Sequence, residues 1–488
     1  MIVTRPDETG RCARRAAGTS TTLRPGLLAL LVSAVVLAIG CSPGSILESD
    51  NLPPDVTDPA ITKTPEGAVQ AYYGLREQFR LAFGGDYYGT ETAVVALGGL
   101  LGDELQVGGT TLGQSSIPVD VRLMLEGEED AVASSAYGKL QKVRGQASQA
   151  IGLLTRYAPD QRALAGHAYV LQAYSEIFLA ELFCSGIPLS TLDFDGDYTL
   201  RPGSSTEEVY AHALALLDTA LTLVDDSTRV VHLARLAQAR AHLDLGELTE
   251  AAAAAATVPD GYEYAVAFVA GSASSSNFAR VRLTIWDVSV ADLEGLNGLD
   301  YRSSGDPRTR TTLQTINQFG QGIYHPDAYA SDGGSPIVLA SGVEARLIEA
   351  EAALEAGDAG WLATLNALRT DGTYDTQPDP ADSTQSDTLW HAGTGGVAGL
   401  EPLEDPGTPD SRIDLLFRER AFWLFLTGHR QGDLRRLIRQ YGRNPETVYP
   451  TSSYPCGYGA YGTDVNAPIP SLERTGKPRY AGCFNRGA

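Results

Sequence analysis

Apolar residues recur every three to four positions along most of the chain, and Gly, Pro and Asp punctuate the breaks. Thr64 stands as a helix cap with Pro65 at the first helical position. Val69, Tyr72, Tyr73 and Leu75 then open an apolar face that runs to about Phe83, where Gly84-Gly85 stop it. A mixed, Gly-rich stretch covers roughly 98–118. The periodicity next predicts a helix over roughly 129–157, and Pro159-Asp160 open another that runs to Cys184. Ser205 and Glu208 form a capping-box pair ahead of the face Val209, Ala213, Leu216, Leu217, Ala220, Leu221 and Val224. Asp225-Asp226-Ser227 break that helix. A second covers about 229–245, Gly246 supplies a left-handed stop, and Leu248 to Thr257 form a third.

The phrase from Ala239 to Ala251 resembles the inner turn of a tetratricopeptide repeat, where small Ala residues let two helices pack closely and Gly turns the chain. The same grammar returns at Ser341 and Glu344, another capping pair, followed by an Ala-rich helix to Leu354, Gly357-Asp358 and a partner helix to about Arg369. No fixed period joins the two pairs, so they belong to a larger helical scaffold rather than a regular solenoid. The region 261–340 is rich in Ser, Gly, Thr and Tyr, with short alternating runs such as Val281 to Trp286, and predicts long loops with a few short strands. Residues 371–411 are acidic and full of Pro, Gly, Asp and Thr, and predict an exposed loop. The expected fold is mostly α: tetratricopeptide-like helix pairs in one large domain spanning 61–488, with long loops and a few short strands.

Composition narrows the function. Hydrophobic residues make up 43% of the 488 positions, enough for extensive cores and too many for wholesale disorder. The net charge of −23 argues against general affinity for nucleic-acid phosphates or anionic lipid. Arg5, Arg11, Arg14, Arg15 and Arg24 precede one uncharged apolar run, Gly26 to Gly40, and this is a signal-peptide layout. Ala38-Ile39-Gly40-Cys41 looks like a bacterial lipobox with Ala in place of the usual Leu. Residues 1–40 are therefore expected to be removed, Cys41 to carry lipid, and 41–60 to act as a flexible tether. With Cys12 gone, Cys184, Cys456 and Cys483 remain, and none has zinc-site spacing. Cys456 and Cys483 lie in a Gly/Tyr/Pro-rich tail and are the expected disulfide pair. Cys184 ends an apolar helix and reads as a buried free thiol, with bridging left open.

No hydrolase elbow, zinc-protease motif, phosphate loop or dinucleotide fingerprint occurs, so neither catalytic residues, a metal site nor a cofactor is expected. Asp193, Asp195 and Asp197 have the one-three-five spacing of a calcium loop, but Tyr198 replaces its Gly and Ser204 its closing Glu. A solvated acidic turn is the preferred reading. Trp286, Tyr301, Tyr324 and Trp390 fall in loop-like regions, where exposed rings suit sugar C–H faces or apolar peptide side chains. They are the expected ligand-binding set, with Trp286 and Tyr301 leading. Trp423, on a helix face, is expected in the core.

Residues 412–436 carry the most specific phrase: an apolar helix containing Arg418-Glu419-Arg420, then Gly428-His429-Arg430, then Asp433-Leu434-Arg435-Arg436. Arg–carboxylate pairs of this kind commonly lock two helices at a fixed angle, so the set is expected to be structural. The phrase resembles the C-terminal signature of the SusD/RagB-like family, with Gln431-Gly432 where an aromatic usually follows His-Arg. The lipobox, Thr64 to Ala68 and Gly186-Ile-Pro-Leu189 agree with it. The resemblance implies a lipid-anchored nutrient-binding protein on the outer face of a Gram-negative outer membrane. Such a protein acts without catalysis, as a lid over a SusC-like TonB-dependent transporter, and delivers an oligosaccharide or peptide. Two other readings stay open: an envelope lipoprotein scaffold that assembles proteins through its helix pairs, and a secreted glycosidase, for which no carboxylate pair can be named.

Overall fold

The computed structural model describes residues 62–86, 92–108, 113–124, 131–224, 227–272, 274–278, 288–317, 320–370, 400–454, 459–473 and 482–488. The leader, Cys41, the tether, the 281–286 run, Trp286, Trp390, Cys456 and most of the acidic loop lie outside the described residues.

The helices start where the caps place them. Helix α1 (Pro65–Gly84) begins with Thr64 accepting a hydrogen bond from the Gly67 amide at 3.0 Å. After it come α2 (Val94–Leu101), α3 (Ile117–Asp120), α4 (Ala131–Tyr157) and α5 (Arg162–Leu182). Helix α6 (Thr206–Leu221) has both arms of its capping box: the Glu208 amide donates to Ser205, and the Ser205 amide to the Glu208 carboxylate. Helix α7 (Thr228–Leu245) stops at Gly246, whose φ is 78°, and α8 (Leu248–Ala255) follows. Helices α9 (Gly342–Glu355) and α10 (Gly360–Thr370) form the later pair. Helices α11 (Pro409–Trp423), α12 (Arg430–Arg439) and α13 (Pro445–Val448) complete the series. No described helix is long and apolar enough to cross a membrane.

Each helix from α4 to α10 packs against the next, and α1 closes the row against α4. The two tetratricopeptide-like pairs, distant in sequence, are thereby neighbours in space: α8 packs directly on α9. The intervening segment loops out and is zipped shut at its base. There β6 (Glu263–Val266), on the way out, pairs antiparallel with β10 (Ile337–Ser341), on the way back, in a register of Glu263 opposite Ser341 and Val266 opposite Ile337. Gly342 seals the junction. Its amide donates to the Tyr262 carbonyl at 2.8 Å, and a Cβ there would sit 2.2 Å from the Asp260 carbonyl oxygen. The excursion also contributes a hairpin, β8 (Thr311–Ile316) with β9 (Gly322–Pro326), and a strand β7 (Val288–Val290) that pairs with β1 (Leu105–Val107). Two small two-stranded ladders, β2 (Ile187–Pro188) with β5 (Gly203–Ser204) and β3 (Thr191–Leu192) with β4 (Tyr198–Thr199), follow α5.

Three features differ from the sequence reading. Helix α2 falls partly in the stretch read as Gly-rich connection. All eight of its residues are buried, so it has no polar face to give a 3.6-residue rhythm. At α9 only half of the expected capping box forms: the Glu344 amide donates to Ser341, while the Glu344 carboxylate turns toward His429. The disulfide joins Cys483 to Cys184 rather than to Cys456. The end of α5 carries Cys184 to within a Cα–Cα distance of 5.7 Å of Cys483, and the Phe484 amide donates to the Ser185 carbonyl beside it. Closing a loop of 299 residues restricts the unfolded chain by about 6 kcal/mol on the chain-entropy estimate.

Candidate functional site

Helices α11 and α12 carry the Arg/Glu phrase into the middle of the molecule. Arg420 forks onto Asp433 with bonds of 2.9 and 2.8 Å. Arg436 bonds Asp433 at 2.9 Å and also pairs with Glu351 on α9. Arg430 forks onto Asp103, just beyond α2, at 2.6 and 2.8 Å. Glu419 receives Arg308 at 2.7 and 3.2 Å and Arg369 at 2.7 Å. Arg435 points at the exposed end of α5, where it donates to the carbonyls of Ala180, Glu181 and Phe183, acceptors with no helical partner of their own. Gly428, at φ 78°, turns the chain between the helices. Arg418 alone stands half-exposed, paired with Asp300 at 2.6 Å.

This hub is sealed: Glu419, Arg420, Arg430, Asp433, Arg435 and Arg436 are all buried. Burial works against the Asp433 carboxylate, yet the Arg420 and Arg436 guanidiniums hold its pKa well below the usual carboxylate range. Nearby Glu104 goes the other way. Burial pushes it up to about 8, because its one strong bond is from the Leu426 amide at 2.8 Å, and its Oε2 has no partner. The hub ties α2, α5, α9, α11 and the 300–309 segment together, and its charges face one another. Its geometry is that of a clamp.

A cavity of about 170 Å³ opens at the edge of this clamp. Its apolar wall consists of Tyr262, Tyr329, Phe422, Trp423, Phe425 and Val338, drawn from the loop before β6, from the loop before β10 and β10 itself, and from the end of α11. Trp423, Glu344 and His429 are among the lining residues; their atoms Nε1, Oε2 and Nε2 have no hydrogen-bond partner and are themselves closed to solvent. Thr427 donates its hydroxyl to the Leu424 carbonyl at 2.5 Å, and its oxygen lies 2.9 Å from His429 Nδ1. His429 Nε2 lies 3.1 Å from Glu344 Oε1. Burial, then the Arg240 guanidinium, outweigh Glu344 and pull the His429 pKa below its ordinary value, which keeps the ring neutral near pH 7. The cavity thus offers aromatic walls to whatever enters. Such walls suit the C–H faces of a polyol.

The sequence-predicted ligand set does not converge here. Tyr301 is 1% exposed: its ring packs on Phe422 and Phe425 with centroids 5.4 and 5.0 Å away, and its hydroxyl donates to Asp103. It backs the cavity wall instead of lining it, so it is no surface ring. Tyr324, on β9, is half-buried and has the Arg302 guanidinium 3.9 Å over its ring. Trp286 and Trp390 lie outside the described residues. Trp423, assigned to the core by its helix, is only half-buried and borders the cavity. The available signal was its position: it is the last residue of α11, five before the Gly428 turn, where a helix face no longer has to point inward. The Asp193 to Asp197 segment is a tight turn, in which Asp193 Oδ1 accepts from the amides of Asp195 and Asp197 at 3.0 and 2.9 Å and Asp195 pairs with Lys63.

Fold and cavity together define a helix-pair scaffold that holds an aromatic-walled pocket between a clamp and a looped excursion. The same fold occurs in solved proteins described as SusD superfamily members. A SusD superfamily protein from Bacteroides vulgatus superposes with a TM-score of 0.59 at 17% identity, over 87% of this chain and 100% of that one. The NanU protein of B. fragilis gives 0.56 at 14% identity, over 90% of this chain and 100% of its own. A protein of B. vulgatus described as a putative sugar-binding protein gives 0.55 at 14% identity, over 87% and 99%. No family model and no curated protein sequence matches the chain.

Proposed function

We propose that this protein is a saccharide-binding lipoprotein that captures an oligosaccharide and passes it to a partner TonB-dependent transporter, without catalysing a reaction on it. The observation that carries the reading is the cavity beside Trp423, walled by aromatic side chains and set in a scaffold shared with a protein described as a putative sugar-binding protein. Cys41 would hold the mature chain to the outer membrane at the cell surface, and the 41–60 tether would let the folded part act as a lid. The leader and the SusD fold support that placement. The test has two parts. Purified protein is titrated against a panel of oligosaccharides and peptides, and protein isolated natively from outer membranes is examined for a co-purifying barrel. Saccharide binding together with a barrel partner is the expected outcome. Peptide binding alone would overturn the ligand assignment, and the absence of a barrel would favour the scaffold reading.

A further inference from the structure

Another buried cluster lies where α3, the excursion and the C-terminal tail meet. Asp120 ends α3, and Glu294 follows β7 in the excursion. Their carboxyls are buried and hydrogen-bond each other. The neighbouring donors go to the outer oxygens. Asp120 Oδ2 accepts from the Val107 amide at 2.7 Å and from the Tyr454 hydroxyl, and Glu294 Oε1 accepts from the Tyr461 hydroxyl at 2.9 Å. Asp120 Oδ1 and Glu294 Oε2 are closed to solvent and have only each other. An ionised carboxylate has no donor, so a bond between two carboxyls needs a proton on one of them.

The charged groups around the pair are committed elsewhere. Arg122 donates to the carbonyls of Pro450 and Asp464 at 2.6 and 2.9 Å and lies 3.5 Å from Glu446. Asp464 pairs with Arg486 at 2.6 Å. Arg430 forks onto Asp103, whose negative charge adds to that of the pair. Burial, and then for Glu294 the Asp120 charge, push both carboxyls up. The backbone is constrained as well. Arg122, Leu293 and Ser452, at φ 58°, 53° and 81°, are three of the four non-glycine residues with positive φ among the described residues. Each stands within two residues of Asp120, Glu294 or Tyr454. Residues with a side chain keep that conformation only where surrounding contacts impose it. We infer that Asp120 and Glu294 share one proton that latches the excursion to α3 and the tail, and that losing it loosens this seam. Two carboxylates in a dry contact repel, and the three constrained segments then relax. The folded pair holds a proton that the unfolded chain gives up above about pH 4.5, so the latch weakens as pH rises. Asn297 supplies a tie that does not titrate, donating to the carbonyls of Glu446 and Tyr449 at 2.8 Å, which keeps the loosening local.

The test is hydrogen exchange of the folded protein at about pH 5.5 and about pH 8.5, read by mass spectrometry and corrected for the intrinsic rate at each pH. Peptides covering 291–299 and 459–464 are expected to lose protection about tenfold or more at the higher pH, while α6 and α7 stay protected. Glu294→Gln replaces the shared proton with an amide N–H that does not titrate: the new Nε2 donates to Asp120, and Oε1 still accepts from Tyr461. Its protection should change by about threefold or less over the same range. Glu104 titrates in both proteins, so the difference between them belongs to the pair. Unchanged protection in the wild type, or the same tenfold loss in the Gln variant, would overturn the inference. So would an equal loss in α6 and α7, which would mean that the whole fold opens and no local latch exists. Where Glu294→Gln folds poorly, Asp120→Asn, with the amide N–H pointing the other way, gives the same comparison.

Discussion

The clamp and the cavity are built from the same residue types a few ångströms apart, and they solve opposite problems. In the clamp every guanidinium of the signature finds a carboxylate or a helix-end carbonyl, and all but that of Arg418 are buried. In the cavity aromatic side chains wall a space of about 170 Å³. Apolar walls around an open space forgo packing that a ligand can restore. The difference teaches that the most recognisable phrase of the sequence is the frame, and that recognition falls on the residues at its rim.

Breaking the clamp should have the largest effect. Asp433→Ala strands Arg420 and part of Arg436 in a dry interior and should cost about 3–5 kcal/mol, read as a fall in thermal or denaturant midpoint. If the midpoint holds and saccharide binding vanishes, the clamp is a binding site and the contrast fails. Glu104 sharpens the picture at the clamp's margin. Its pKa is raised to about 8 in the folded protein from an ordinary 4.5, so the folded state holds this proton where the unfolded state has lost it. Stability should therefore fall as pH rises from about 4.5 through about 8, by up to a few kcal/mol. Glu104→Gln should flatten that decline, and pH-resolved denaturation that shows the same slope in both proteins would refute the assignment.

Much of the frame was legible in the sequence because it is written in local rules. Thr64, Ser205 and Gly246 cap and stop helices as residues of those types do, and the Arg/Glu phrase announces paired charges. The rest depends on contacts between distant segments. That Cys184 meets Cys483, with Cys456 elsewhere in sequence, follows from α5 ending against the C-terminal tail, which no spacing encodes. That the two helix pairs adjoin follows from β6 pairing with β10 across the excursion. Tyr301 and Trp423 were exchanged for the same reason. A loop residue can be pulled inward by a buried acceptor such as Asp103, and a helix residue at the last turn can face out.

The cavity predictions are smaller in energy. Trp423→Ala should weaken saccharide binding tenfold or more, about 1.4 kcal/mol, with a modest change in midpoint. Trp286→Ala run in parallel should cost less. A larger loss from Trp286 would place recognition in the 281–287 segment instead. Tyr301→Phe removes one hydroxyl bonded to Asp103 and should cost about 1 kcal/mol of stability while leaving binding unchanged. Loss of binding in that variant would mean that the wall behind the cavity takes part in recognition.

The most direct measurement is a crystal structure of the protein with a neutral oligosaccharide bound. The account predicts one sugar residue in the cavity, with a C–H face against the aromatic wall that includes Tyr329 and Trp423. A well-ordered saccharide on any other surface, with the cavity empty, would contradict it.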